Sequence, residues 1–141
     1  MANAGGWTDN YHTGYVLDCL DEFQCLSGDN SFSDNIKLGY TFYKSNFITS
    51  NGIPKFYYNN LYPIDCTSAS QTILTLARFG DDKLANSVAK WTIKNMQKND
   101  GSFKFRKYKT FTNSTSFMRW SNAWIFVALA ALKCKIWKFY F

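Results

Sequence analysis

Two stretches of the chain, FYKSNFITSNGIPKF over Phe42–Phe56 and WTIKNMQKNDGSFKF over Trp91–Phe105, lie on each other in one register at a shift of 49 residues. In that register Phe42 meets Trp91, Asn46 meets Asn95, Phe47 meets Met96, Gly52 meets Gly101, Lys55 meets Lys104 and Phe56 meets Phe105. Each copy reads as the end of a helix, a polar turn built on glycine, and an extended segment of alternating lysine and aromatic residues. A period of this length marks a repeat architecture, in which one supersecondary unit buries its apolar face only by stacking on the next.

Outward from the repeat, hydrophobic spacing predicts a first helix over Thr13–Leu26, with Tyr15, Val16, Cys19, Leu20, Phe23 and Leu26 as its apolar positions. Gly28, Asp29 and Asn30 break it. A second helix is predicted over Ser33–Phe47, with Ser33 or Asp34 to cap it, and a third from Asp65 as N-cap to Gly80 as C-terminal glycine. A fourth covers Asp82–Gln97. The fifth, Ser121–Cys134, is apolar and alanine-rich all round, which predicts burial on several sides. Lys55–Tyr58 and Ser102–Thr112 read as short, aromatic, β-hairpin-like loops. The predicted fold class is therefore all-α: tandem αα-hairpins forming part of an α/α toroid. About two and a half units make one helical-repeat domain over residues 1–132, followed by a basic aromatic tail over residues 133–141. The fifth helix lacks a pair, and Trp7–His12 arrives like a loop from an earlier unit. The chain thus reads as the C-terminal portion of a longer ancestor, or as one half of an assembly.

Composition narrows the function classes. Thirteen Phe, nine Tyr and five Trp in 141 residues exclude a disordered chain and supply aromatic loops. The net charge is +6, and no acid follows Asp100. A basic end attracts anionic partners or serves as a solvated face. Cys19, Cys25, Cys66 and Cys134 show no paired spacing, and His12 is the one histidine, so no metal site is predicted and buried, reduced thiols are expected. The chain shows no signal-peptide pattern, and its longest apolar run, Ala123–Leu132, is half of a membrane span. A cytoplasmic protein without a membrane span is expected. No dinucleotide, P-loop, nucleophile-elbow or metalloprotease motif is present, and no cofactor is predicted. Asp81-Asp82 lacks the third acid that a terpene cyclase would require.

Three segments carry a resemblance: Trp7–Gly14, Phe56-Tyr57-Tyr58 with Tyr62–Asp65, and Phe117–Trp124. They resemble uncharacterised bacterial proteins of the six-hairpin α/α-toroid group found near polysaccharide-biosynthesis genes. The wider group includes glucuronyl C5-epimerases, unsaturated glucuronyl hydrolases, and the prenyltransferase and squalene cyclase toroids. The resemblance covers nearly all of Trp7–Leu132. It implies the toroid fold and a role in carbohydrate metabolism, and in such toroids the loops leading into the inner helices line a cavity. The chain departs from the group in length, with fewer than half the helices of a closed toroid.

The residues select the same positions on their own. Asp9 and His12 precede the first helix, Tyr58 and Asp65 the third, and Tyr108, Arg119 and Trp120 the fifth. Helix N-termini offer free N–H groups and partial positive charge, suited to anionic or hydroxyl-rich ligands. Asp9 three residues before His12 can orient an imidazole for acid–base work. The expected catalytic residues are His12, Asp9 and Asp65, the two acids also being a candidate glycosidase pair. Arg119 is the candidate partner of a sugar carboxylate, and Tyr58, Tyr108 and Trp120 are candidate stacking platforms. Each has a plainer alternative: Asp65 as an N-cap, His12 as a surface residue, Arg119 as a bridge to helix carbonyls, the tyrosines as packing. The sequence thus supports a protein acting on or binding a glycan, of uronic-acid or N-acetylated type. Its alternative is a non-catalytic interaction module or truncated toroid remnant, which self-associates or takes a second chain to complete the ring. Nucleic-acid binding is disfavoured.

Overall fold

Both copies of the repeated stretch fold alike in the computed structural model, which describes residues 8–134; Trp7 and the tail from residue 135 onward lie outside the described residues. Helix α1 (Asn10–Ser27) turns back into α2 (Ser33–Phe47), and an aromatic loop leads to strand β1 (Ile64–Asp65). Helix α3 (Cys66–Arg78) turns back into α4 (Asp82–Met96), and a second loop carries β2 (Arg106–Lys107) and β3 (Thr112–Asn113). A π-helical turn over Met118–Ala123 then enters α5 (Trp124–Cys134). The chain is mostly helical, with one small antiparallel sheet in the order β1-β2-β3.

The repeat holds down to individual hydrogen bonds. After α2, Lys55 N donates to Phe47 O at 2.7 Å and Gly52 N to Thr49 O at 2.9 Å. After α4, Lys104 N donates to Met96 O at 2.9 Å and Gly101 N to Lys98 O at 3.0 Å, each 49 positions on. Asn46 and Asn95 each bond back to the carbonyl four residues earlier, both at 2.8 Å. Gly52 and Gly101 take left-handed φ values of 72° and 86°, a conformation that costs a residue with a Cβ.

Helices α1, α3 and α5 lie side by side with α3 in the middle, while α2 packs on α1, and α4 on α3 and α5. The core between α3, α4 and α5 is apolar, built from Ile73, Leu76, Val88, Met96, Ile125 and Ala128. The junction between α1 and α3 is polar and close. Asn10, wholly buried, donates through Nδ2 to Thr72 Oγ1 and Lys55 O, both at 2.9 Å, and accepts from Tyr43 Oη at 2.7 Å. A Cβ on Gly14 would lie 2.8 Å from Gln71 Cγ and 2.9 Å from Thr75 Oγ1, so only glycine allows α1 to approach α3 this closely. Burial of a polar seam is tolerable because its donors and acceptors find each other.

Several sequence expectations change. The apolar stripe expected inside on α1 points outward: Val16 is 53% and Leu26 65% exposed, and the buried residues are Asn10, Gly14 and Leu17. The reason is the polar, glycine-built contact with α3, which uses the opposite side of the helix. On α5, burial is confined to Ile125, Ala128 and Ala131, and Phe126 is 73% exposed, because α3 and α4 cover one side alone. The helical path into α5 begins at Met118, before the expected Ser121. Neither Ser33 nor Asp34 caps α2; Phe32 occupies the N-cap with no side-chain bond. Cys66 is buried, but Cys19, Cys25 and Cys134 are exposed thiols. Among the described residues no helix is long and apolar enough to cross a membrane, and no group of side chains could hold a metal ion.

Candidate functional site

The site grows from the start of the inner helices. Asp9 is extended and buried, and its Oδ1 accepts from His12 N at 2.8 Å, capping α1. Its Oδ2 meets His12 Nδ1 at 2.7 Å, so one carboxylate both caps the helix and fixes the imidazole. Asp65 repeats the cap 56 residues on: Oδ1 accepts from Thr67 N at 2.9 Å and Ser68 N at 3.1 Å. Position 68 is the equivalent of His12, but it is a serine. The second oxygen of Asp65 turns instead to the neighbouring strand, because β1 pairs with β2 and sets Asp65 opposite Arg106. Arg106 reaches Asp65 Oδ2 through Nε at 2.9 Å and Nη2 at 2.8 Å.

The loops after α2 and α4 bring rings to the same rim. Asn10 N donates to Phe56 O at 2.9 Å, and Cys66 N donates to Phe105 O at 3.0 Å. These bonds tie each aromatic loop to the helix start it covers. The Arg106 guanidinium then lies between two rings, 4.8 Å from the centroid of Phe56 and 4.8 Å from that of Phe105. Cation–π contact and the Asp65 salt bridge hold it from three sides.

These groups surround a cavity of about 260 Å³. Asp9, His12, Asp65 and Arg106 line it with Tyr11, Phe56, Phe105 and Trp120, and Thr67 and Ser68 form part of its wall. His12 is 72% exposed, and with Nδ1 taken by Asp9 it has Nε2 to present to a ligand. Ser68 is 1% exposed, and its Oγ has no hydrogen-bond partner among the described residues. A buried hydroxyl in that state is an expectant donor or acceptor at the cavity wall. The thiol of Cys66, next to Asp65, is no candidate nucleophile, since burial above all, with the Asp65 charge, pushes it up to about 12.

The structure thus brings together four of the seven sequence-predicted site residues: His12, Asp9, Asp65 and Trp120. The other three do not line the cavity. Arg119 is exposed and outside the cavity lining. Tyr58 packs at 6.4 Å on Phe42, away from the cavity. Tyr108 stacks on Phe111 at 4.4 Å on the β2–β3 hairpin. Tyr58 is placed against Phe42, while Tyr108 also lies beside Arg106 of the cavity, whose charged form it favours. Sequence reasoning missed Arg106, Phe56 and Ser68 as members of the site, and weighed Phe105 as packing rather than stacking. A signal existed for Arg106: it matches Tyr57 in the repeat, and Tyr57 pairs with Asp9 as Arg106 pairs with Asp65. Residues facing each other across paired strands sit side by side.

No family model, no curated protein and no solved structure matches this chain, so the reading of its function rests on the geometry of the rim.

Proposed function

We propose that the chain is a carbohydrate-active helical-repeat protein of α/α-toroid type that binds a glycan in the rim cavity. One observation carries the reading: four aromatic rings share a small cavity with two pre-oriented polar pairs, His12–Asp9 and Arg106–Asp65. A sugar ring has C–H faces that lie on aromatic rings and a rim of hydroxyls that bond to carboxylates, imidazoles and amides. Drug-sized ligands occupy roughly 300–1,000 Å³, so a cavity of about 260 Å³ suits a single sugar ring.

The charges favour a neutral ring. Arg106, the guanidinium among the described lining residues, is already paired with Asp65. A uronic-acid carboxylate there would stand against the Asp65 charge, while an N-acetyl group meets no such repulsion. If a chemical step follows binding, His12 is the group to carry a proton, through Nε2. Asp9 and Asp65 each have both oxygens engaged, which counts against a two-carboxylate displacement.

Tryptophan fluorescence and calorimetric titration with N-acetylglucosamine and with glucuronate would test this. The expected result is saturable binding of the neutral sugar, weakened about tenfold in Trp120→Ala, the equivalent of ~1.4 kcal/mol for one stacked ring. Binding of neither sugar, or an equal response from Trp120→Ala, would reject the reading. The second reading, a non-catalytic interaction module, draws support from the exposed apolar sides of α1 and α5.

A further inference from the structure

Helix α3 buries four hydroxyl side chains, Ser68, Ser70, Thr72 and Thr75. Three of them are bonded. Ser70 Oγ donates to Cys66 O at 2.8 Å, Thr72 Oγ1 to Ser68 O at 2.9 Å, and Thr75 Oγ1 accepts from Gln71 Nε2 at 3.1 Å. Ser68 is the exception: it is 1% exposed, and its Oγ has no partner among the described residues. Its position gives the local reason. A serine inside a helix can turn back to the carbonyl four residues earlier, but for Ser68 that residue is Ile64, which lies in β1 and pairs with Lys107 of β2. Ser68 also stands one repeat on from His12, three residues after the capping aspartate, where the first unit offers its imidazole to the same cavity.

Exposure decides which polar groups of the cavity can tell one ligand from another. His12 is 72% exposed, so where a ligand offers it nothing, water does. Asp9 and Asp65 have both oxygens engaged, and Arg106 is held by Asp65 and two rings. Ser68 lines the cavity yet is nearly shut off from bulk solvent, without a partner. A hydrogen bond is ordinarily worth little net, because each side surrenders a bond to water. Here the protein side has none to surrender, so a ligand group that meets Ser68 gains more than usual. The rest of the lining is rich in rings, Phe105 and Trp120 among them, so the fitting group joins a polar atom to an apolar end. An acetamido group does so with its amide and its methyl, whereas a ring hydroxyl carries no apolar end. We infer that Ser68 is the specificity-determining residue of the rim cavity, its hydroxyl bonding the amide of an N-acetylated sugar. The inference rests on the glycan reading above and adds to it the residue that selects the sugar and the group it reads.

Calorimetric titration of wild type and Ser68→Ala with N-acetylglucosamine and with glucose tests the inference. Wild type is expected to prefer N-acetylglucosamine by about tenfold or more. Ser68→Ala is expected to lose most of that preference, its affinity for N-acetylglucosamine falling about tenfold and that for glucose far less. A loss shared equally by both sugars would mean packing or a contact with a ring hydroxyl, and overturns the inference, as does a variant that binds like wild type. A wild type that binds neither sugar removes the glycan reading itself, and the inference with it. Thermal unfolding without sugar gives a separate readout. Ser70→Ala, buried on the same helix, gains the same helix propensity but loses a bond that is made, so Ser68→Ala is expected to melt about 2–4 °C above it. Equal melting, or a higher value for Ser70→Ala, would mean that the Ser68 hydroxyl is already satisfied, and overturns the inference even where the sugar binds.

Discussion

Asp18 gives the α1–α3 junction a pH dependence that can be worked out in advance. Its carboxylate is 15% exposed and accepts from Gln71 Nε2 at 2.7 Å, with Arg78 Nε at 3.8 Å from the other oxygen. Burial pushes its pKa up to about 7, and Arg78 and the bonds from Thr75 and Gln71 offset only part of that rise. The native state therefore holds the Asp18 proton more tightly than the unfolded chain, where an aspartate titrates near ~3.9. The contribution to stability is fully present below the unfolded value and is lost as pH rises through the native one. A difference of roughly three pH units corresponds to about 4 kcal/mol, of which roughly 2–3 kcal/mol falls between pH 5 and pH 8. The other carboxylates with displaced values, Asp29, Asp81 and Asp100, are held low and act below that window. Urea unfolding at pH 5, 6.5 and 8 is the assay. The wild-type midpoint should fall by about 1–2 M across the series, given slopes of ~1–3 kcal/mol/M for small proteins. Asp18→Asn should remove most of the fall, because the amide has no proton to lose and Arg78 keeps Asp21 and Glu22 as partners. A wild type equally stable at pH 5 and pH 8, or a variant with the same slope, would refute a buried, proton-holding Asp18.

Two further substitutions test the local architecture. Asp65→Ala removes the α3 cap and leaves Arg106 without its carboxylate; it should cost about 2–3 kcal/mol, while Asp65→Asn, which keeps a capping oxygen, should cost about 1 kcal/mol, both read from thermal unfolding. Gly101→Ala meets open space and should cost only the left-handed backbone penalty of about 1–2 kcal/mol. Gly52→Ala should cost at least ~1 kcal/mol more, since overpacking adds to the same strain and its Cβ would lie 2.4 Å from Ser87 Oγ. Equal costs at the two glycines would mean that the first turn does not pack on α4 as described.

Much of the local structure was legible because it depends on neighbours in the chain. The bounds of α2, the Asp65 cap and the two glycine turns follow from residues within a few positions of one another. The Asp9–His12 pair was legible for the same reason, both residues lying within one turn of a helix start. Arg106 was not, since its place depends on a strand pairing that joins position 106 to position 65 across the chain. Arg119 was singled out because it precedes the fifth helix, yet on the π-helical turn its side chain and that of Trp120 meet different surroundings.

What the sequence by itself determined was the repeat: the order helix, helix, aromatic loop, and a register of 49 residues that the hydrogen bonds reproduce. What only the tertiary structure decided was which side of each helix faces inward. Hydrophobic spacing picks out the apolar side of α1, but a stacked helix has two sides to bury, and the contact with α3 used the polar one, with Gly14 allowing close approach and Asn10 satisfied within it. Periodicity registers where apolar residues lie around a helix and is blind to which neighbour meets them, so the inward side, and with it the site, was settled by packing.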